Sequence, residues 1–118
     1  MSNTPKAPLS FEAYAHAAGQ TATYPGRGSG TLTYPVLGLN GEAGEVAEKL
    51  KKVIRDHDGK LSDAQRDALI KELGDVLWYV AACCHELDVP MHEVAQRNLD
   101  KLASRKQRGV ISGSGDER

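Results

Sequence analysis

Two segments of this chain repeat one pattern of acidic, glycine and apolar residues. Both read Glu-x-Gly-acid-Val, at residues 42–46 and at residues 72–76. Each copy lies in a longer stretch whose apolar residues recur every three or four positions, which predicts an amphipathic α-helix. Residues three apart lie about one turn apart on a helix, so each helix carries two neighbouring carboxylates. The pattern therefore predicts an all-α fold in which two helices bring four carboxylates together.

The four carboxylates belong to Glu42, Glu45, Glu72 and Asp75. At about 100° per residue, Glu42 lies at the edge of the apolar stripe and Glu45 about 60° further round. Carboxylates crowded beside a core repel one another unless a cation neutralises them. Oxygen ligands favour hard divalent cations, so we expect an Mg²⁺ site, with Mn²⁺ as a substitute. The alternative is that both pairs are solvated flanks, and the repetition of the whole pattern favours the metal site.

Composition narrows the class of protein. The 118 residues form one predicted domain, residues 1–118, with a formal net charge of −1. That balance gives no bulk attraction to nucleic acid or to an anionic membrane, so neither is an expected partner. Neither a membrane-spanning run nor a signal peptide is apparent. The adjacent Cys83 and Cys84 cannot form a disulfide within a helix, and we interpret both as reduced core residues of a cytoplasmic protein.

Capping and turn residues predict four helices, one short and three longer. Ser10 is the expected N-cap of the first helix, and Ser62 or Asp63 that of the third. The Asp58-Gly59 pair predicts a turn, and Pro90 lies in the first turn of the fourth helix. The expected bounds are Phe11–Gly19, then Val36 or Leu37 to Asp56, then the capping residue to Leu87, then Pro90 to Arg108. Residues 1–8, 20–35 and about 110–118 are expected to be loops or flexible.

The third helix is apolar on the face opposite its core stripe. This face carries Gly74, Trp78, Ala81 and Ala82. Either another part of the chain or a second subunit must cover it. We expect a homodimer or homotetramer with the Trp78 face at an interface, and direct contact of Trp78 with a ligand is the alternative.

A carboxylate-bound Mg²⁺ ion leaves positions for phosphate oxygens, which favours a nucleoside triphosphate as substrate. Cations near the acidic edge would bind its phosphates. Asn98 falls within the apolar stripe of the fourth helix, where a buried amide needs a polar partner. The candidates are Lys49, Lys52, Asn98, Lys101 and Arg105. Since no nucleophile motif is present, we expect direct attack of water on phosphorus, with a motif carboxylate or a metal-held hydroxide as base.

The chain resembles the MazG-like, all-α nucleoside triphosphate pyrophosphohydrolases. The resemblance rests on the paired Glu42-x-x-Glu45 and Glu72-x-x-Asp75, on residues 37–52 and 72–79 around them, and on Asn98-Leu-Asp-Lys-Leu102. It implies a four-helix core that assembles as an oligomer. It also implies Mg²⁺-dependent cleavage between the α- and β-phosphates, which releases a nucleoside monophosphate and pyrophosphate.

Carried over by position, the four motif acids become the metal ligands and the catalytic residues. The five polar candidates and Trp78 become substrate contacts, and base recognition falls to Phe11, Tyr14, Gln20 and Tyr24. The expected role is house-cleaning of the nucleotide pool. A phosphoribosyl-nucleotide pyrophosphohydrolase and a non-catalytic oligomeric module that binds metal or nucleotide remain alternatives.

Overall fold

The computed structural model describes residues 7–118, which form four α-helices and no strand. They are α1, Phe11–Gly19; α2, Thr33–His57; α3, Asp63–Glu86; and α4, Met91–Gln107. The predicted all-α fold, with one short and three longer helices, is confirmed. Within the described range, none of the helices has the length and apolar character needed to cross a bilayer. Residues 1–6, part of the N-terminal segment expected to be flexible, lie outside the described range.

Local capping sets most of the helix ends where the sequence predicts them. The Ser10 hydroxyl accepts a hydrogen bond from the Ala13 N–H at 3.1 Å and caps α1. Ser62 and Gln65 form a capping box at the start of α3. Asp58 and Gly59 adopt left-handed conformations with φ of 55° and 74°, which end α2 and turn the chain. These ends follow from side chains that satisfy free backbone groups.

The start of α2 differs from the prediction. The helix begins at Thr33, three residues before Val36, and Pro35 lies at its third position. Proline is tolerated there because the first backbone N–H groups of a helix have no intrahelical partner. Pro35 is also fully buried, so packing holds this first turn in place. The loop between α1 and α2 is therefore residues 20–32.

An antiparallel hairpin of α2 and α3 forms the centre of the fold. Gly38 near the start of α2 contacts Tyr79, and Lys49 further along α2 contacts Glu72, which precedes Tyr79 on α3. The two helices therefore run in opposite directions. The short helix α1 packs against α3 and α4. A small core that includes Ala81, Cys84 and Met91 joins α1, α3 and the start of α4.

The chain itself covers part of the back face of α3. Ala81 and Ala82 are 7% and 5% exposed, and they lie opposite residues of α1 and of the following loop. The Trp78 indole N–H donates a hydrogen bond to the Thr21 hydroxyl at 3.0 Å. Packing of α1 and the following loop thus accounts for part of this face, the alternative that the sequence left open, while Gly74 stays exposed. A subunit interface at the Trp78 face remains a prediction.

A different apolar surface remains uncovered. Leu50 and Ile54 of α2 and Ile70, Leu73 and Leu77 of α3 are 37–61% exposed, and we call these five residues the hairpin face. The radius of gyration is 17.6 Å. A compact chain of this length has a radius of about 13–14 Å. The single chain is thus open, with half of its apolar stripe facing outwards.

Candidate active site

Carboxylates from α2 and α3 meet at the side of the hairpin. Glu42, Glu72 and Asp75 each offer an oxygen, and these oxygens lie within 4.8 Å of one another. Glu72 and Asp75 lie one turn apart on α3, and Glu42 faces them from α2. We call these three residues the acidic cluster. Glu42 and Glu72 are partly buried, whereas Asp75 is exposed.

Electrostatic repulsion is already visible in this cluster. Burial raises the pKa of Glu42, and the charges of Asp75 and Glu72 raise it further. The ionised form of Glu42 is thus disfavoured beside these two acids, and a bound divalent cation would reverse that effect. A donor set made only of carboxylate oxygens suits Mg²⁺ or Mn²⁺ rather than a softer metal. The residues present therefore fit the metal that the sequence predicts.

The fourth motif acid, Glu45, is exposed and does not belong to the acidic cluster. Its place follows from helix geometry, because three residues after Glu42 the side chain points about 60° further from α3. Glu45 nevertheless contributes to the raised pKa of Glu42, after the effects of burial, Asp75 and Glu72. It is therefore a neighbour of the cluster on the solvent side.

Of the basic candidates on α2, Lys49 lies nearer the acidic cluster. Its Nζ is 3.5 Å from a carboxylate oxygen of Glu72. Lys52 instead pairs with Glu48, with 3.7 Å between Nζ and the carboxylate oxygen. Of these two lysines, Lys49 is therefore the one positioned to contact a phosphate beside the acidic cluster.

The candidates on α4 lie elsewhere. Within residues 7–118, α4 does not contact α2. The sequence predicts that Asn98 is buried and therefore needs a polar partner. In the single chain it is exposed, so that expectation is wrong. Arg105 is 5% exposed, but its guanidinium donates to the Asp116 carbonyl at 2.9 Å. Lys101 also faces the tail, 3.9 Å from the Asp116 carboxylate. The tail expected to be a flexible loop is non-helical and folds back onto α4.

Two tyrosines adjoin the acidic cluster. Burial raises the pKa of Tyr14, and the charge of Asp75 adds to the effect. The pKa of Tyr79 is raised by burial, then by Tyr34 and Glu42. Both phenols thus stay protonated and can donate hydrogen bonds. The Tyr79 ring lies against Gly38, where a Cβ would overlap it.

Further along α3, the tyrosines continue into an aromatic cluster. The rings of Tyr24 and Tyr34 stack, with 5.6 Å between their centroids and 7° between their planes. The Trp78 ring makes edge-to-face contacts with both Tyr24 and Tyr79, with ring centroids 6.2 Å and 5.0 Å apart. Such pairs stabilise by about 0.5–1.5 kcal/mol beyond the burial of their area. Trp78 follows Asp75 by one turn, so the aromatic cluster borders the acidic one.

A buried carboxylate anchors the loop that carries Tyr24. Glu86, 7% exposed, accepts hydrogen bonds from the Tyr24 hydroxyl at 2.7 Å and from the Gly28 N–H at 2.7 and 3.0 Å. The Gly30 N–H donates a further bond at 3.2 Å. The Gly28 N–H and the Tyr24 hydroxyl are the main causes that lower the pKa of Glu86. We call residues 24–30 the glycine loop.

A cavity of about 430 Å³ opens between α1, the glycine loop and the second half of α3. This volume falls within the range of small-molecule sites. Alanines line much of it, together with Trp78, Arg27, His16 and His85. None of the acidic-cluster residues lines the cavity, and Trp78, one turn after Asp75, is the lining residue that follows the cluster most closely along α3.

Residues expected to recognise the base are divided between two environments. Tyr24 is buried in the aromatic cluster, and Tyr14 is partly buried near Asp75. Phe11 and Gln20 are exposed. Sequence reasoning missed Glu86. Its one signal in the sequence is an acidic residue at the end of the otherwise apolar second half of α3, together with a glycine-rich segment elsewhere in the chain that could supply backbone N–H donors.

The fold and the acidic cluster define an all-α protein with a carboxylate site between two antiparallel helices. The family description "MazG nucleotide pyrophosphohydrolase domain" matches residues 31–110, and the chain belongs to this family. The Gene 37 protein of Mycobacterium phage L5 is 54% identical over 114 residues, which cover 93% of this chain and 100% of that protein. No solved structure matched. The family match confirms the resemblance inferred from the paired motif.

Proposed function

We propose that this protein is an Mg²⁺-dependent pyrophosphohydrolase of nucleoside triphosphates that cleaves between the α- and β-phosphates. The observation that carries the proposal is the convergence of Glu42, Glu72 and Asp75 from two helices in a chain of this family. The products would be a nucleoside monophosphate and pyrophosphate. Removal of unwanted nucleotides from the cytoplasmic pool is the role that such a reaction would serve.

The metal would be held by the acidic cluster, and Glu45 would join it from the solvent side. When bound, Mg²⁺ would neutralise phosphate charge and lower the pKa of water. A carboxylate of the motif would accept the proton as water attacks phosphorus, and pyrophosphate would leave with the bridging oxygen. The Lys49 Nζ lies 3.5 Å from a carboxylate oxygen of Glu72, so Lys49 would contact a phosphate oxygen beside that residue. Lys52 is one turn further and would act on the outer phosphates.

The nucleoside would lie towards the cavity. Trp78 offers aromatic surface there, and Arg27 also lines the cavity, with its guanidinium 5.6 Å from the centre of the buried Tyr24 ring. Aromatic stacking of a base contributes about 1–3 kcal/mol. In the single chain Asn98, Lys101 and Arg105 lie apart from this site, so a substrate contact by them would require a second subunit or movement of the tail.

A second copy of the chain would cover the hairpin face. Two such faces, each with Leu73 and Leu77 on one side of α3, would pack as a helical bundle. The chain covers part of the Trp78 face but leaves this surface open. A homodimer is the simplest closed assembly that covers it, and a tetramer would extend the dimer.

Product identification tests the reaction. We expect the wild-type protein to release monophosphate and pyrophosphate from at least one member of a (d)NTP panel, and only with Mg²⁺ or Mn²⁺. Asp75→Asn and Glu45→Gln should each reduce turnover by at least about 100-fold, because a charged ligand or neighbour of the metal is removed. The exposed Glu117 provides the matched control Glu117→Gln, which should retain wild-type turnover.

Circular dichroism separates function from folding in these variants. An unchanged helical signal with lost turnover would support the site. Unfolding of Asp75→Asn would make the acid structural, and release of orthophosphate alone would contradict cleavage between the α- and β-phosphates. Turnover of a phosphoribosyl nucleotide alone, or of no substrate, would favour one of the two alternative functions.

A further inference from the structure

We infer that Glu86 is a positioning residue whose buried carboxylate holds the glycine loop against α3, so that Arg27 of this loop and Trp78 form the nucleoside-facing wall of the cavity. The inference rests on the proposed function, because it concerns binding of the same nucleotide. Glu86 lies 11 positions after Asp75, at the far end of α3, and it does not belong to the acidic cluster.

The bonding of Glu86 fixes the shape of the loop rather than one side chain. Two of its three donor groups are backbone N–H groups, from Gly28 and Gly30. These two glycines have φ of 81° and 79°, conformations that other residues rarely adopt. A loop with such freedom loses much entropy when it is ordered, so it needs a strong anchor. A carboxylate that accepts charge-assisted hydrogen bonds provides one.

The third donor links this anchor to the aromatic cluster. The Tyr24 hydroxyl bonds to Glu86, and its ring lies between Tyr34 and the edge of Trp78. Arg27 reaches back to the Tyr24 hydroxyl, with 3.3 Å between Nη1 and the oxygen. Release of the loop would therefore move the Tyr24 ring and the Arg27 guanidinium, and Trp78 would lose a neighbour.

The consequence for activity is selective. Trp78 and Arg27 line the cavity, whereas the metal would be held by Glu42, Glu72 and Asp75. Loosening the glycine loop should weaken nucleotide binding and leave Mg²⁺ binding unchanged. A merely structural role would instead lower the fraction of folded enzyme, which reduces kcat and leaves KM unchanged.

Glu86→Gln is the test variant, because it keeps the shape but turns an NH₂ group towards groups that are themselves donors. If the loop is then ordered for a tenth of the time, the apparent KM for a nucleoside triphosphate rises about tenfold. We expect kcat and the Mg²⁺ concentration for half-maximal activity to stay within about twofold, since neither depends on the loop. Glu117→Gln in the exposed tail is the matched control.

Trp78 is the only tryptophan and reports on the loop without turnover. Its emission should shift to the red in Glu86→Gln and become easier to quench with acrylamide. The α,β-methylene analogue of the best substrate should bind about tenfold more weakly, as judged by Trp78 fluorescence with Mg²⁺. If no triphosphate turns over, the analogues of dUTP and dATP are used in turn.

The outcomes separate the two claims. A raised KM with unchanged kcat and a shifted emission supports the role of Glu86. Unchanged KM and emission, or a lower kcat with unchanged KM, overturns it and leaves the proposed reaction intact. If wild-type protein binds an analogue but hydrolyses no triphosphate, the proposed function fails and the dissociation constants decide on Glu86. If it binds none, both claims fail.

Discussion

Single residues decide how closely α2 and α3 approach beside the acidic cluster. Gly38 lies one turn before Glu42, and Tyr79 lies one turn after Asp75. The absence of a side chain at Gly38 admits the Tyr79 ring to the surface of α2. The Tyr79 phenol is thereby placed near Glu42, whose charge contributes to its raised pKa after burial and Tyr34.

Gly38→Ala should therefore destabilise the protein, although alanine favours a helix. Overlap with the Tyr79 ring costs about 1–3 kcal/mol, against a gain of about 1 kcal/mol in helix propensity. Gly41→Ala is the matched control, because a Cβ there meets no atom within 4 Å and should leave stability equal or higher. Urea unfolding followed by circular dichroism measures both. Equal stability of the two variants would show that Tyr79 moves aside freely.

At the scale of elements, the glycine loop is attached to α3 by a group that titrates. The pKa of Glu86 is lowered by the Gly28 N–H and the Tyr24 hydroxyl, with smaller effects from the Gly30 N–H and the charge of His85. Arg27 also bonds to Tyr24 from the loop side. The ionised carboxylate is therefore the form that holds the loop in the folded protein.

This attachment should weaken in acid. Because the folded pKa lies below the unfolded value of about 4.3, the stabilisation is complete above that value and is lost as the pH falls through the folded pKa. The difference in melting temperature between wild type and Glu86→Gln should be largest near neutral pH and should shrink below about pH 4. Thermal unfolding of both proteins across pH 3–7 tests this. A difference that does not vary with pH would contradict the assignment.

At the scale of the whole molecule, the part of the chain that the structure describes leaves a large part of its apolar surface exposed. The hairpin face stays open and α4 does not reach α2. Large exposed apolar patches mark interaction surfaces in soluble proteins. The expected oligomer therefore remains a prediction, and the hairpin face offers an open surface for it in addition to the Trp78 face.

Leu73→Glu should dissociate this oligomer. Leu73 is 55% exposed on the hairpin face, and a buried, unpaired carboxylate there would oppose the packing of a second copy. Leu61→Glu is the control, since Leu61 is 47% exposed but lies in the turn before α3. Light scattering after size-exclusion chromatography should give a smaller mass for Leu73→Glu only. A wild-type monomer would refute the assembly.

The sequence by itself determined the four helices, apart from the first turn of α2, and three of the four motif acids, those that form the acidic cluster. Capping by Ser10 and Ser62 acts within a few residues, and apolar periodicity marks which sides of α2 and α3 meet, so both can be read locally. Helical phase also accounts for the outlying position of Glu45, about 60° from Glu42.

Tertiary structure alone decided what lies against Ala81 and Ala82 on the back face of α3, and which polar groups meet across long separations. Glu86 bonds to residues 56–62 positions earlier, which no local pattern specifies. Arg105 bonds to the folded-back tail, although its spacing favoured a phosphate contact. Periodicity identifies an apolar face but not its occupant, because burial depends on where a distant segment such as α1 packs.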